Sequence, residues 1–167
     1  MSDFNSAFAE VIGYEGLYSN NSLDQGGETK YGIAKRWYPH LDIKNLTLDE
    51  AQQIYFNNYW NPMLLGQIVS SPIATEIFEQ AINMGKKQAA IHAQKSVCLL
   101  SDPIIVDGWF GKQTVTSINK LSGSKVFPLL KCLNYYQMDK YIEIVENDPT
   151  QRGFFVGWLK RVDLTAK

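Results

Sequence analysis

Phe4-Asn5-Ser6-Ala7-Phe8-Ala9-Glu10-Val11-Ile12-Gly13-Tyr14-Glu15 runs directly into Gly16-Leu17-Tyr18-Ser19-Asn20-Asn21-Ser22-Leu23-Asp24-Gln25-Gly26-Gly27-Glu28-Thr29-Lys30-Tyr31-Gly32, and the fold turns on this junction. Phe4, Phe8, Val11 and Glu15 fall at i, i+4, i+7 and i+11, with Ala7 and Ile12 beside them, which is one face of a helix. From residue 16 the texture changes to Gly, Ser, Asn and Asp, and the interleaved Tyr18, Leu23, Thr29 and Tyr31 suit short, irregular strands. Glu15 carries an apolar stripe to the helix end. Poor solvation there disfavours the charged carboxylate and raises its pKa, as a general acid working near neutrality requires. If the helix stops sooner, Glu15 faces solvent instead.

Outward from this junction the pattern is helical. Thr47-Leu48-Asp49-Glu50 reads as a capping box opening a helix that carries Ala51, Ile54, Tyr55 and Tyr59 inward and ends near Asn61-Pro62. A third helix is expected from Ser71-Pro72 through Ile73, Ile77, Phe78, Ala81 and Ile82 to Gly85, a natural C-cap. Further helices are expected over 88–100, 111–121, 124–147 (with Pro128 in the first turn) and 151–162, with turns at Asp102-Pro103 and Asp107-Gly108. The expected architecture is mainly α with a small β-hairpin excursion after the first helix. It is organised as a lobe over 1–93 and a helical portion over 94–167 packed as one compact unit.

Composition narrows the function. Of 167 residues, 45% are hydrophobic and 20% charged, an ordinary globular balance. Sixteen Lys and Arg against seventeen Asp and Glu leave a net charge of -1, which argues against a nucleic-acid binder. Cys98 and Cys132 lack metal-site spacing and sit among apolar neighbours as small buried hydrophobes, with a disulfide between them left open. His40 and His92 stand alone, so no metal and no cofactor is expected. No apolar run has the length of a membrane span. Met1-Ser2-Asp3-Phe4 lacks a basic n-region, so the expectation is synthesis in the cytoplasm without a classical signal peptide.

Asp24 and Thr29, on a Gly-rich turn, can fold back over the end of the first helix. A glycosidase needs a protonated acid for the leaving oxygen and a second group to position water or stabilise an oxocarbenium-like state, and Glu15 with Asp24 and Thr29 offers those parts. An Asp before Gly-Gly is also a common turn former. Tyr14-Glu15-Gly16-Leu17-Tyr18 and Asp24-Gln25-Gly26-Gly27-Glu28-Thr29-Lys30-Tyr31-Gly32-Ile33 are followed by Tyr59-Trp60, Phe78-Glu79-Gln80-Ala81-Ile82-Asn83-Met84-Gly85, Asp107-Gly108-Trp109-Phe110-Gly111 and Phe155-Val156-Gly157-Trp158-Leu159-Lys160-Arg161-Val162. In that order, and over nearly the whole chain, these motifs resemble glycoside hydrolase family 108, whose C-terminal third is a peptidoglycan-binding portion.

The resemblance implies a lysozyme-like α fold and an N-acetylmuramidase of phage endolysin or secretion-linked type. Such an enzyme hydrolyses the β-1,4 bond between N-acetylmuramic acid and N-acetylglucosamine as a monomer. Its partner is the peptidoglycan glycan strand, which it reaches after holin- or secretion-dependent release. Carried across, the family's catalytic residues fall on Glu15, Asp24 and Thr29. Leu17 stands where the family has a second glycine, the Asp24-to-Thr29 gap is one residue shorter than in phage lysozymes, and Glu79 replaces a more usual Asp.

For the sugar groove the sequence offers Tyr14, Tyr18, Tyr31 and Trp60, near the site along the chain. Glu79 either lines the groove or faces solvent, and Asn83 either turns its amide inward or caps its helix. Trp109 either stacks on a pyranose or anchors a turn as a buried ring. Two other readings stay open: a lytic transglycosylase using Glu15 alone, and a non-catalytic wall-binding or secretion-assisting protein.

Overall fold

The N-terminal stripe forms α1 (Phe4–Ile12) in a computed structural model that describes residues 2–12, 18–19, 27–121 and 123–162. Asp3 caps it, accepting from the Ser6 backbone N–H at 2.9 Å and the Ser6 hydroxyl at 2.7 Å, bonds that hold the Asp3 carboxyl below its ordinary pKa. α1 buries Ala7 and Phe8. The Phe4 ring meets Phe56, Trp60 and Phe78 edge-on at centroid distances of 5.2, 5.5 and 5.9 Å, the arrangement that ring quadrupoles favour.

The β excursion is a hairpin of β1 (Thr29–Lys30) and β2 (Ile33–Ala34), antiparallel, with Thr29 opposite Ala34 and Lys30 opposite Ile33. It runs past residue 32, where the sequence pattern suggested an end. Tyr31, expected in a strand, instead occupies the turn at φ 52° beside Gly32 at φ 74°. Positive φ at both central residues is the turn whose twist matches the flanking strands. Gly32 is needed twice over, because a Cβ there would lie 2.7 Å from the Tyr55 hydroxyl oxygen. That hydroxyl donates to the Tyr31 carbonyl at 3.0 Å and fastens the hairpin to the helical body. Ser19 pairs with Thr29 through two backbone bonds of 2.9 and 2.8 Å. Leu23 lies outside the described residues.

α2 (Leu48–Tyr55) opens on the expected capping box: the Glu50 N–H donates to Thr47 Oγ1 at 3.2 Å, and the Thr47 N–H to Glu50 Oε2 at 2.8 Å. The helix then widens into a π-turn over Phe56–Trp60, with the Asn61 N–H reaching back to the Phe56 carbonyl at 2.9 Å. The extra residue moves the buried face. Tyr55 and Trp60 point into the core, and Tyr59, expected inward by simple helical spacing, is only half-buried.

α3 (Ser71–Met84) is the central helix, with Ile73, Ala74, Ile77, Phe78, Gln80 and Ala81 buried. Gly85, at φ 86°, ends it and starts α4 (Lys86–Leu100), so the chain reverses within one residue and α4 begins before the expected position 88. Buried Ala89, Ala90 and Ala93 let α4 pack closely against its neighbours. α5 (Lys112–Lys120), α6 (Val126–Asn147) and α7 (Arg152–Leu159) complete the fold, and α6 packs on both α3 and α4. Core residues form a single cluster from Ala7 and Phe8 to Leu129 and Leu133. A division between residues 93 and 94 would fall inside α4, and the core crosses it. Cys98 and Cys132 are both free thiols.

Candidate active-site cleft

Tyr14, Glu15 and Asp24 lie outside the described residues, but their flanks are placed. Residues 13–17 connect α1 to Tyr18-Ser19, and the Ser19–Thr29 pair closes the base of the segment that carries Asp24. Thr29 is half-buried, and its Oγ1 donates to the Gly27 carbonyl at 3.2 Å, so this hydroxyl is oriented by its own turn. Tyr18 is exposed and donates from its hydroxyl to Glu28 Oε1 at 2.8 Å. The Tyr31 ring is half-buried at the hairpin tip, with the Lys30 ammonium 5.4 Å from its centroid.

Beside the hairpin opens a cleft of ≈ 560 Å³, whose lining includes Gly32, Trp37, Tyr38, Tyr55, Tyr59 and Asn83. Trp37 is 73% exposed, with the Arg36 guanidinium over its ring at 5.4 Å from the centroid. Tyr38 is held by the Asn58 amide, which donates to its hydroxyl at 3.0 Å. The Lys86 ammonium sits 6.0 Å from the Tyr59 centroid and donates to the Asn58 carbonyl at 3.0 Å. Burial pushes the Tyr59 phenol above its ordinary pKa, so it stays a neutral hydrogen-bonding hydroxyl. Flat rings with fixed hydroxyls around a concave space match the apolar faces and polar rims of pyranoses.

Asn83 lines this cleft, while its Nδ2 donates to the Glu79 carbonyl at 2.9 Å and to Glu79 Oε1 at 2.6 Å. Glu79 itself points away from the rings into a second space of ≈ 470 Å³ between α1, α3, α6 and the end of α7. Its Oε2 accepts from Gln137 Nε2 at 2.6 Å, and Arg161 Nε approaches Oε1 to 3.7 Å. Burial, helped by the neighbouring Glu76 charge, pushes the Glu79 carboxyl up to about 7.

Trp60 is corrected: at 3% exposed, and edge-on to Phe4 and Phe78, it is a core ring with no face for a sugar. Trp109 is 76% exposed, and the ring that anchors its turn is the neighbouring Phe110 at 6%. The turn itself is locked by Gln94, whose Nε2 donates to Asp107 Oδ1 at 2.8 Å and whose Oε1 accepts the Gly108 N–H at 3.0 Å. Trp109 is not part of the lining of the hairpin cleft. Sequence reasoning missed Trp37 and Tyr38 there. Their signal was a Trp-Tyr pair between Lys35-Arg36 and Pro39, a polar setting in which large rings are not built for the core. Among the described residues, no cluster of His, Cys, Asp or Glu could hold a metal ion, and no helix is long and apolar enough to cross a membrane.

Against known proteins, residues 8–85 match the family described as Glycosyl hydrolase 108, and residues 88–163 match the family described as Predicted Peptidoglycan domain. The structure of Brucella abortus SagA is similar, with a TM-score of 0.74 and 25% sequence identity over 95% of this chain and 88% of that one. No curated protein matches.

Proposed function

We propose that the chain, whose residues 8–85 match the glycosyl hydrolase 108 family and residues 88–163 the predicted peptidoglycan domain family, is an N-acetylmuramidase. The bond cleaved is the β-1,4 linkage between N-acetylmuramic acid and N-acetylglucosamine. The observation that carries the reading is the ring-lined cleft at the β1–β2 hairpin, because the same hairpin is tied through Ser19 and Thr29 to the chain bearing Glu15 and Asp24. In this mechanism the Glu15 carboxylic acid protonates the glycosidic oxygen as the bond breaks. Asp24, with the Thr29 hydroxyl, orients the attacking water or stabilises the oxocarbenium-like state. Trp37, Tyr38 and Tyr59 hold the sugars flat against the wall of the cleft.

Glu15→Gln keeps the shape and removes the acid. Loss of general acid catalysis lowers turnover by about 10²–10⁴-fold. The assay is reducing-end analysis of purified peptidoglycan digested by the parent and by Glu15→Gln. New N-acetylmuramic acid reducing ends from the parent alone support the reading. Anhydro-muramic ends would make the protein a lyase, and equal release by both chains removes Glu15 from the mechanism.

A further inference from the structure

Asn83 lines more than the hairpin cleft. On its other side Asn83 lines a further pocket of ≈ 280 Å³ between α3, α6 and α7, together with Gln88, Lys140, Tyr141, Trp158 and Arg161. Among the described residues no carboxylate side chain belongs to that lining, and the acids that pair with its two cations, Glu143 and Glu79, lie outside it. Lys140 pairs at 2.9 Å with Glu143, one turn along the same helix, a bridge at the helix surface of the kind that contributes little on its own. Arg161 touches Glu79 from outside at 3.7 Å, longer than a hydrogen bond, and keeps a side chain 44% exposed. Its fork of N–H donors is the geometry that reads a carboxylate with two parallel bonds. Trp158 lines the same pocket, its ring held by stacking on Tyr141 at 5.2 Å and on Phe154 at 6.2 Å.

We propose that these two spaces are one binding trench spanning both family-matched halves, and that Lys140 and Arg161 in its far part hold carboxylates of the peptides branching from the glycan strand. The inference rests on the muramidase reading for the identity of the strand. The sugar backbone lies along Trp37, Tyr38 and Tyr59. A branch leaving it at Asn83 enters the cationic pocket, where Trp158 covers its apolar part. The C-terminal half thereby selects peptide-bearing strands, and its residues act as specificity determinants for the first half.

The test uses the full chain carrying Glu15→Gln, so that ligand is not consumed, and isothermal titration with three soluble ligands of equal glycan length. These are glycan fragments with their stem peptides, the same fragments stripped of peptide by an amidase, and neutral chitooligosaccharides. Adding Lys140→Gln and Arg161→Gln together is expected to weaken binding of the peptide-bearing fragments about tenfold or more, the scale of losing charge-assisted hydrogen bonds. Binding of the other two ligands is expected to stay within about twofold, the spread expected when no contact has been lost. Arg161→Lys restores part of the loss. If the double variant does not fold, Lys140→Gln alone, at a helix surface, still carries the readout. Equal affinity of parent and variant for peptide-bearing fragments overturns the trench while leaving the muramidase reading intact. An equal loss on stripped fragments overturns the assignment to peptide. Binding of none of the three ligands by the parent overturns both.

Discussion

Glu79, half-buried, and His92, buried, are ionisable groups on adjacent helices, and the fold disfavours the charge of each. Burial raises the Glu79 carboxyl from 4.5 to about 7, and burial, with Lys95 and Lys140 nearby, lowers the His92 imidazole from 6.5 to about 4. The contacts of His92 fit a neutral ring: Gln80 Oε1 faces Nδ1 at 2.8 Å and Gln88 Nε2 faces Nε2 at 2.8 Å, so one nitrogen donates while the other accepts. The linkage signs are opposite. Stability from Glu79 is complete below pH 4.5 and lost as pH rises through 7, because the folded state holds that proton more tightly. Stability from His92 is complete above pH 6.5 and lost as pH falls through 4. Over the shared interval the two slopes cancel, each worth on the order of 3 kcal/mol across its full range. Removing one exposes the other. Relative to the parent, Glu79→Gln is expected to lose stability on going from about pH 8 to about pH 5, and His92→Gln to gain it. Urea denaturation at both pH values reads the difference, and parallel shifts in the two variants would show that these groups do not titrate against the fold.

At the scale of elements, the π-turn Phe56–Trp60 separates two tryptophan roles. It drops Trp60 beneath Tyr55 and lifts Tyr59 to the cleft wall, where Trp37 stands opposite the core. Trp60→Ala therefore opens a cavity among Phe4 and Phe78 and is expected to cost about 3–5 kcal/mol of stability. Trp37→Ala removes an exposed ring and is expected to change stability by less than about 0.5 kcal/mol. On the proposed muramidase reading, the same substitution is expected to weaken glycan binding several-fold. Thermal denaturation beside oligosaccharide titration separates them, and a large drop in Tm for Trp37→Ala would mean that the ring is structural. The π-turn also marks the limit of what the sequence discloses. Capping residues and apolar stripes are local signals, so the Thr47–Glu50 box, the Ser71-Pro72 start and the Gly85 stop of α3 could all be read directly. A π-turn has no such signature, and its one-residue shift sent Tyr59 and Trp60 to each other's expected places. Whether Trp109 anchors its turn was undecidable from sequence for a related reason. Adjacent rings on a turn face opposite ways, and the partner that decides, buried Gln94, lies on another helix. The trench was equally hidden, because Asn83 on α3, Lys140 on α6 and Arg161 just past α7 are brought together only by the packed fold.

Across the whole molecule, the two family-matched stretches meet at the α3–α4 turn, yet the contacts do not divide there. Gln80 on α3 donates to the Leu133 carbonyl on α6 at 3.1 Å, and Gln137 on α6 donates to Glu79 at 2.6 Å. Asn119 on α5 accepts the Val69 N–H and donates to the Gln67 carbonyl, both at 2.9 Å. Ile73, Ile77 and Phe78 share one core cluster with Ala89, Val97, Leu129 and Leu133, and α3 packs against both α4 and α6. Neither half closes its own core, so the chain is expected to unfold as a single cooperative unit rather than as a catalytic domain with an independent binding domain. A trench shared between the halves needs this rigidity, since a hinge at Gly85 would separate Asn83 from Lys140. Leu133→Ala, deep in the C-terminal half, is expected to cost about 2–5 kcal/mol. It should lower hydrogen-exchange protection in α1 and α3 by as much as in α6, because global opening carries the cost everywhere at once. Calorimetry of the parent should give one transition with matching calorimetric and van't Hoff enthalpies. Two transitions, or protection lost in α6 while α1 and α3 keep theirs, would separate the halves and leave the shared trench without its rigid frame.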